Sequence, residues 1–369
     1  MIDKIAHFSF SSGIFCSSAR ATALALLLAA GLAPAGRAQT QEPEMYAIGI
    51  HPHAIVLLDG NRDEIAGEIQ ITGRSPKDMV FSPDGKYLYV TSEGRSRLEM
   101  VNVAQRKAEK VFDLTPAGHR MTIFGLTINP KGDLLYIHVK LVKMLPDEFK
   151  VEPPQIWSVD VKTGKINKIV EVPEGVMTLA MTTDGRQLIA WGRDIYYVDP
   201  AQGRITGTYP LMSRNLPDKG PVDALAAFVQ FERSGILSLP FYTKDPITKK
   251  DIFGFANMDL TTGKMDLMEL GPPVPLYSVI VAPDRKHAYG LMLQLVEVDM
   301  TARKVERMVN LERTKYVANI SRDGKKAYVS GASPFIHIYD TASMKLIKTL
   351  NLSGDPGVTT FRALPPLAH

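Results

Sequence analysis

The sequence has a single cysteine, Cys16, and it lies within the first forty residues. Everything downstream lacks a thiol, which excludes a disulfide, a thiolate metal ligand and a cysteine nucleophile there. No Cys-x-x-Cys-His occurs, so the chain offers no attachment point for a c-type haem of its own. Gly-x-x-x-x-Gly-Lys-Ser/Thr and Gly-x-Ser-x-Gly are absent as well, which removes the P-loop and the nucleophile-elbow hydrolase. Charge of one sign is scarce too. The formal net charge is only +4, and Lys4, Arg20 and Arg37 against Asp3 supply half of it. That leaves no electrostatic footprint for nucleic acid. Beyond residue 35 no apolar run approaches the roughly 20 residues of a membrane-spanning helix, and no segment sustains a helical period. The two tryptophans, Trp157 and Trp191, fall in short apolar runs that read as strands, where packing is the expected role.

What is present begins with an export pattern. Arg20 precedes the apolar run of residues 21–35, and Gly36-Arg37-Ala38 places small residues at the two positions that a signal peptidase reads. The expectation is a cleaved signal peptide over residues 1–38, a periplasmic location, and one domain over residues 39–369. A membrane anchor is the poorer reading because the run is short.

Two patterns then recur. The first is strand, tight turn, strand: Met79-Val-Phe-Ser-Pro-Asp-Gly-Lys-Tyr-Leu-Tyr-Val90, with copies starting at Leu126, Leu179, Val279 and Ala318. A degenerate copy runs over residues 228–238. Proline, aspartate and glycine suit the turn because they preset φ, bond nearby backbone and accept a positive φ. The flanks are β-branched and aromatic. The second pattern is an apolar strand ending in an acid, then a turn, then a basic residue. It ends at Asp59, Asn102 (the one amide), Asp160, Asp199, Asp259, Asp299 and Asp340. The mean step is roughly 47 residues, a propeller-like period. The expected fold is all-β: a seven-bladed β-propeller with four antiparallel strands per blade. Six copies of one pattern and seven of the other imply that the N- and C-terminal strands share one blade, which closes the ring and hides its edges.

Strand alternation gives such a ring two faces. The first-to-second and third-to-fourth turns fall on one, and they are short and uniform. The second-to-third loops and blade connections fall on the other. Two units are long, and their excess, at residues 140–154, 212–221 and 242–251, reads as loops on this second face. Long loops on a rigid scaffold are where binding sits, so Lys140, Phe149, Arg214, Tyr242 and Lys244 are the candidate partner-interface residues. No catalytic, cofactor-binding or metal-ligating residue is assigned. His51 and His53 flank Pro52, yet no carboxylate cluster accompanies them, and a surface turn is the reading. The acids at the strand ends repeat with the turns and are structural.

Tyr46-Ala-Ile-Gly-Ile-His-Pro-His53, Ser75-Pro-Lys-Asp-Met-Val-Phe-Ser-Pro-Asp-Gly85 and Gln155-Ile-Trp-Ser-Val-Asp160 resemble the β subunit of quinohemoprotein amine dehydrogenase and, more broadly, bacterial YVTN-type propellers. The resemblance extends over the chain beyond the export segment. It implies a periplasmic heterotrimer that oxidatively deaminates primary amines. A small subunit would carry cysteine tryptophylquinone and a second subunit two c-type haems, with this chain as scaffold and wall of the active site. The resemblance brings no catalytic residue to this chain. Two other readings remain: a stand-alone lactonase-type hydrolase, and a non-catalytic binding or adhesion propeller.

Overall fold

The computed structural model describes residues 43–365. The expected signal peptide lies outside the described residues. Seven sheets follow one another along the chain, and blades 2, 4 and 7 each take four consecutive strands in simple antiparallel order. Blade 2 shows the plan: Met79–Phe81, Tyr87–Ser92, Arg97–Asn102 and Lys107–Phe112, from the axis outward. In blade 1, Met45–Ile50, Ala54–Asp59 and Glu64–Gln70 are completed on the axial side by Phe361–Ala363, through Tyr46↔Ala363 and Ile48↔Phe361. The split blade expected from the count is therefore present. Its inner edge is covered by antiparallel pairing rather than left open.

Packing follows the period of two along each strand. Leu88 and Val90 point to the blade 1 side and Tyr89 to the blade 3 side, so every blade is apolar on both faces. Seven hydrophobic clusters result, one at each blade-to-blade interface. Trp157 fills the interface of blades 2 and 3, and Trp191 that of blades 4 and 5. The ring-closing interface holds Tyr46, Ile48, Phe361, Val317 and Tyr328, with the Tyr46 and Tyr328 rings 4.8 Å apart.

The repeated acids do what their periodicity implied. Asp59, Asp199, Asp259 and Asp299 each accept two backbone N–H bonds from the turn that follows, and Asn102 accepts one from Gln105. Asp84, Asp184 and Asp323 cap the first-to-second turns in the same manner. All these turns lie on one face, the uniform one.

The other face departs from expectation in three places. Residues 140–154 are largely strand rather than loop. Leu134–Met144 stays paired with His119–Ile128 out to Lys143↔His119, and Phe149–Val151 folds back on it. Alternating side chains such as Lys140, Leu141, Val142 and Lys143 sustain that pairing. Residues 242–251 likewise continue a hairpin, Ile236–Lys244 with Asp251–Asp259, as far as Lys244↔Asp251. Thirdly, the degenerate copy does not supply a normal inner strand. Asp223–Ala224 pairs with its own blade, while Phe228–Val229 pairs in parallel with Ser278–Val281 of the next.

That third departure has a packing cause. Phe228 crosses toward the ring-closing interface and stacks on Tyr316 at 5.4 Å, with Tyr277 at its edge. The ladder bonds lost are replaced: Thr178 Oγ1 donates to the Ala226 carbonyl and Arg362 Nη1 to the Val229 carbonyl. Residues 226–233 thereby touch blades 4, 6, 7 and 1, and they fill the axis of the ring.

Candidate functional site

Three backbone irregularities converge on the mouth of the axis at the looped face. In blade 2, Glu93, Gly94 and Arg95 are successive left-handed residues with φ of 49°, 62° and 73°. That conformation costs a non-glycine residue about 1–2 kcal/mol. Ser96 Oγ donates to the Glu93 carbonyl, and the Arg74 N–H donates to Glu93 Oε1, so local bonds hold the turn. In blade 3 a β-bulge at Gly125 (φ 72°) lets the inner strand approach Leu179 N and the Met177 carbonyl of blade 4. In blade 5 the displaced segment supplies a floor. In a repeat this regular, strain and bulges gathered in one place point to function.

Together they shape a cup of about 150 Å³ lined by Asp78, Arg95, Leu126, Met177, Thr178, Leu179, Val229, Val358 and Arg362. Arg95 Nε donates to Asp78 Oδ2 at 2.9 Å, and its guanidinium lies 5.3 Å from the Phe124 ring centroid. Arg362 is buried. Its Nε donates to the Met79 carbonyl, and Nη1 donates to Glu232 Oε1 at 2.8 Å as well as to Val229. Beside them Lys77 has its pKa held below the ordinary lysine value by burial and then by the charge of Arg95. Behind Phe124 lies His138, fully buried, with neither ring nitrogen at hydrogen-bonding geometry. Burial, and secondly Lys140, pushes its pKa down to about 4, so it is a neutral core residue near pH 7.

Deeper along the axis the ring is stoppered. Arg233 is buried over the Tyr46 ring at 5.3 Å, with Glu44 at 3.6 Å. Tyr46 Oη donates to Glu44 Oε1, and the Tyr46 pKa is raised well above normal by burial first and by Glu44 second. Gln230 and Ser278 present buried polar atoms along the same line. These buried groups lie between the cup and the uniform face.

The looped face is also the apolar one. Among the described residues twelve large apolar side chains are exposed, and eight of them are here. Met177, Leu225 and Val358 ring the axis, Phe149 and Val151 ride the folded-back ribbon, and Leu216, Ile247 and Leu293 lie further out. Val111, Met308, Leu346 and Ile347 are on outermost strands at the rim, which leaves none on the uniform face.

The sequence-based interface residues are spread across this face rather than gathered in one site. Phe149 is strongly exposed, and Lys244 is exposed beside Asp251 at 3.3 Å. Arg214 is half-buried in a connection. Lys140 pairs with Glu174 at 2.9 Å and sits 5.6 Å from the Phe124 ring, next to the cup. Tyr242 is committed internally: its hydroxyl donates to the Val274 carbonyl and accepts from Leu276 N, stapling blade 5 to the connection with blade 6. His51 and His53 are exposed in a turn, with His51 Nδ1 3.2 Å from Ser75 Oγ. No group of three or more His, Cys, Asp or Glu side chains among the described residues converges as a metal site. Asp78, Arg95 and Arg362 were missed from sequence because Asp78 and Arg95 meet through an irregular turn of blade 2 and Arg362 comes from blade 1; the only signal was that their neighbourhood breaks the repeat.

Charged groups held by the backbone and framed by apolar walls can bind and orient an anion or a partner's side chain. They form no nucleophile–base pair. No protein-family profile matches the chain, and no curated protein matches it. Among solved structures, hydrazine synthase of Kuenenia stuttgartiensis superposes with a TM-score of 0.55 at 14% identity, over 82% of this chain and 90% of that one. The dihydro-heme d1 dehydrogenase NirN in complex with DHE superposes with a TM-score of 0.52 at 16% identity, over 88% of this chain and 76% of that one. At such identities the likeness is one of fold, and the fold of this chain is the seven-bladed β-propeller.

Proposed function

We propose that this chain is the cofactor-free propeller subunit of an exported quinohemoprotein amine dehydrogenase. The observation that carries the reading is the apolar, ribbon-bearing looped face opposite a uniform face with no exposed large apolar side chain among the described residues. Apolar groups concentrated on one face mark an interaction surface. The stretches at residues 46–53, 75–85 and 155–160 supply the identity of the partners: a small subunit with cysteine tryptophylquinone and a diheme cytochrome c subunit. A propeller in a protein named a dehydrogenase, NirN, is compatible with a redox setting. The chain would act in the periplasm, scaffold both partners and wall the amine site at their junction. A stand-alone lactonase needs histidines and carboxylates converging on the axis, whereas this axis carries arginines paired to acids.

Purification of the tagged full-length protein from the organism that encodes it tests the reading. The expected product is a complex containing a chain with covalent haem and a small quinone-staining chain, active on primary amines. A protein that elutes alone, without haem or quinone stain, overturns the proposal.

A further inference from the structure

We infer that the axial cup is a binding site for a small monocarboxylate whose apolar part is about the size of a phenyl ring. The inference does not depend on the partner assignment, because the cup is built wholly from this chain.

Size sets the first limit. The cavity is about 150 Å³. An apolar cavity of about that volume holds one benzene, and drug-sized ligands need roughly 300 Å³ or more. Leu126, Met177, Leu179 and Val358 give the walls their apolar character.

Charge sets the second limit. Arg362 spends Nε and Nη1 on carbonyls and Glu232, and Nη2 takes part in none of those bonds, although the side chain is only 5% exposed. Arg95 spends only Nε, on Asp78. Planar guanidinium groups with spare N–H donors suit a carboxylate, which they bind in a defined orientation. Of the side chains that line the cup two are cations, Arg95 and Arg362, and one is an acid, Asp78. A protonated amine of the same size would face those two guanidinium groups, so the cup is distinct in chemistry from an amine site.

Shape supplies the third argument. The left-handed turn aims Arg95 at the axis, the Gly125 bulge opens the wall, and the displaced segment lays the floor. Each is a departure from the repeat, and all three serve the same small volume.

Benzoate is the probe, with benzamide and benzylamine as its uncharged and cationic counterparts. Titration of the full-length protein by calorimetry and ligand-observed NMR should show saturable 1:1 binding of benzoate, with neither counterpart competing. Arg95→Gln should weaken it about tenfold, the effect of one charge-assisted contact. Val358→Trp fills the cup from an exposed rim position and should abolish binding while the thermal midpoint stays put. Met177→Trp repeats that test from the opposite wall. Failure of benzoate to saturate, equal binding of benzylamine, or full binding by both folded tryptophan variants would overturn the assignment.

Discussion

Arg362, on the strand that closes the ring, donates to Glu232 Oε1 at 2.8 Å and so ties the closing strand to the segment that fills the axis. Both side chains are shielded from solvent. Removing one partner leaves the other charge buried without compensation, which costs about 3–5 kcal/mol. Arg362→Met is therefore expected to lower the unfolding free energy measured in urea by that order, with a matching fall of the midpoint, and Glu232→Gln by less because an amide still accepts. A midpoint unchanged in Arg362→Met would mean that the pair does not hold the axis.

Ring closure itself rests on Phe361, fully buried between Tyr46 and the blade 7 core. Phe361→Ala should cost about 3–5 kcal/mol, as large-to-small changes in packed cores do. Phe149→Ala, on the exposed ribbon, should move stability by less than about 0.5 kcal/mol. Chemical denaturation of both variants separates core from surface, and equal losses would contradict the assignment of Phe361 as the closing contact.

The repeat was legible because it is made of local chemistry. Asp199 followed by Pro-Ala-Gln-Gly writes a turn whatever the distant structure, and the turn forms as read. Blade count and split blade followed from spacing alone. The axis was not legible. Arg95 reaches Asp78 only because the turn at 93–95 is left-handed, and non-glycine residues give no local notice of that. Phe228 sits in a segment that looked like a worn repeat, yet its aromatic slot is formed by Tyr277 and Tyr316 from the two following blades. The ribbon at 140–151 was read as a loop because its third strand is three residues long and flanked by acids and prolines.

His138 gives the fold a pH dependence. Its folded pKa is about 4, against about 6.5 when unfolded. Between those values the unfolded chain binds the proton and the native state does not. Stability is therefore complete above about pH 6.5 and falls as pH drops toward 4, by about 3 kcal/mol. His138→Leu should remove that slope. Urea titrations at pH 7 and pH 5 check this, and an identical slope in the variant would contradict it.

Gly125 and Gly324 both hold a left-handed φ, but only at Gly125 would a Cβ meet backbone, 2.9 Å from Leu179 N. Gly324→Ala should cost about 1 kcal/mol from backbone strain alone. Gly125→Ala should cost clearly more. Equal losses in thermal unfolding would remove the close approach of blades 3 and 4 from the account of the cup.

The central claim is that the looped face is the working face. Phe149→Ser with Ile247→Ser alters its two most exposed apolar side chains, while Arg186→Ser with Lys325→Ser alters equally exposed positions on the uniform face. Haem absorbance retained per mole of tagged protein, measured after affinity purification from the organism that encodes it, compares the two pairs directly. The account predicts that the looped-face pair loses the haem-bearing partner with an unchanged melting midpoint and that the uniform-face pair retains it. Retention by the looped-face pair, or loss confined to the uniform-face pair, would contradict the account.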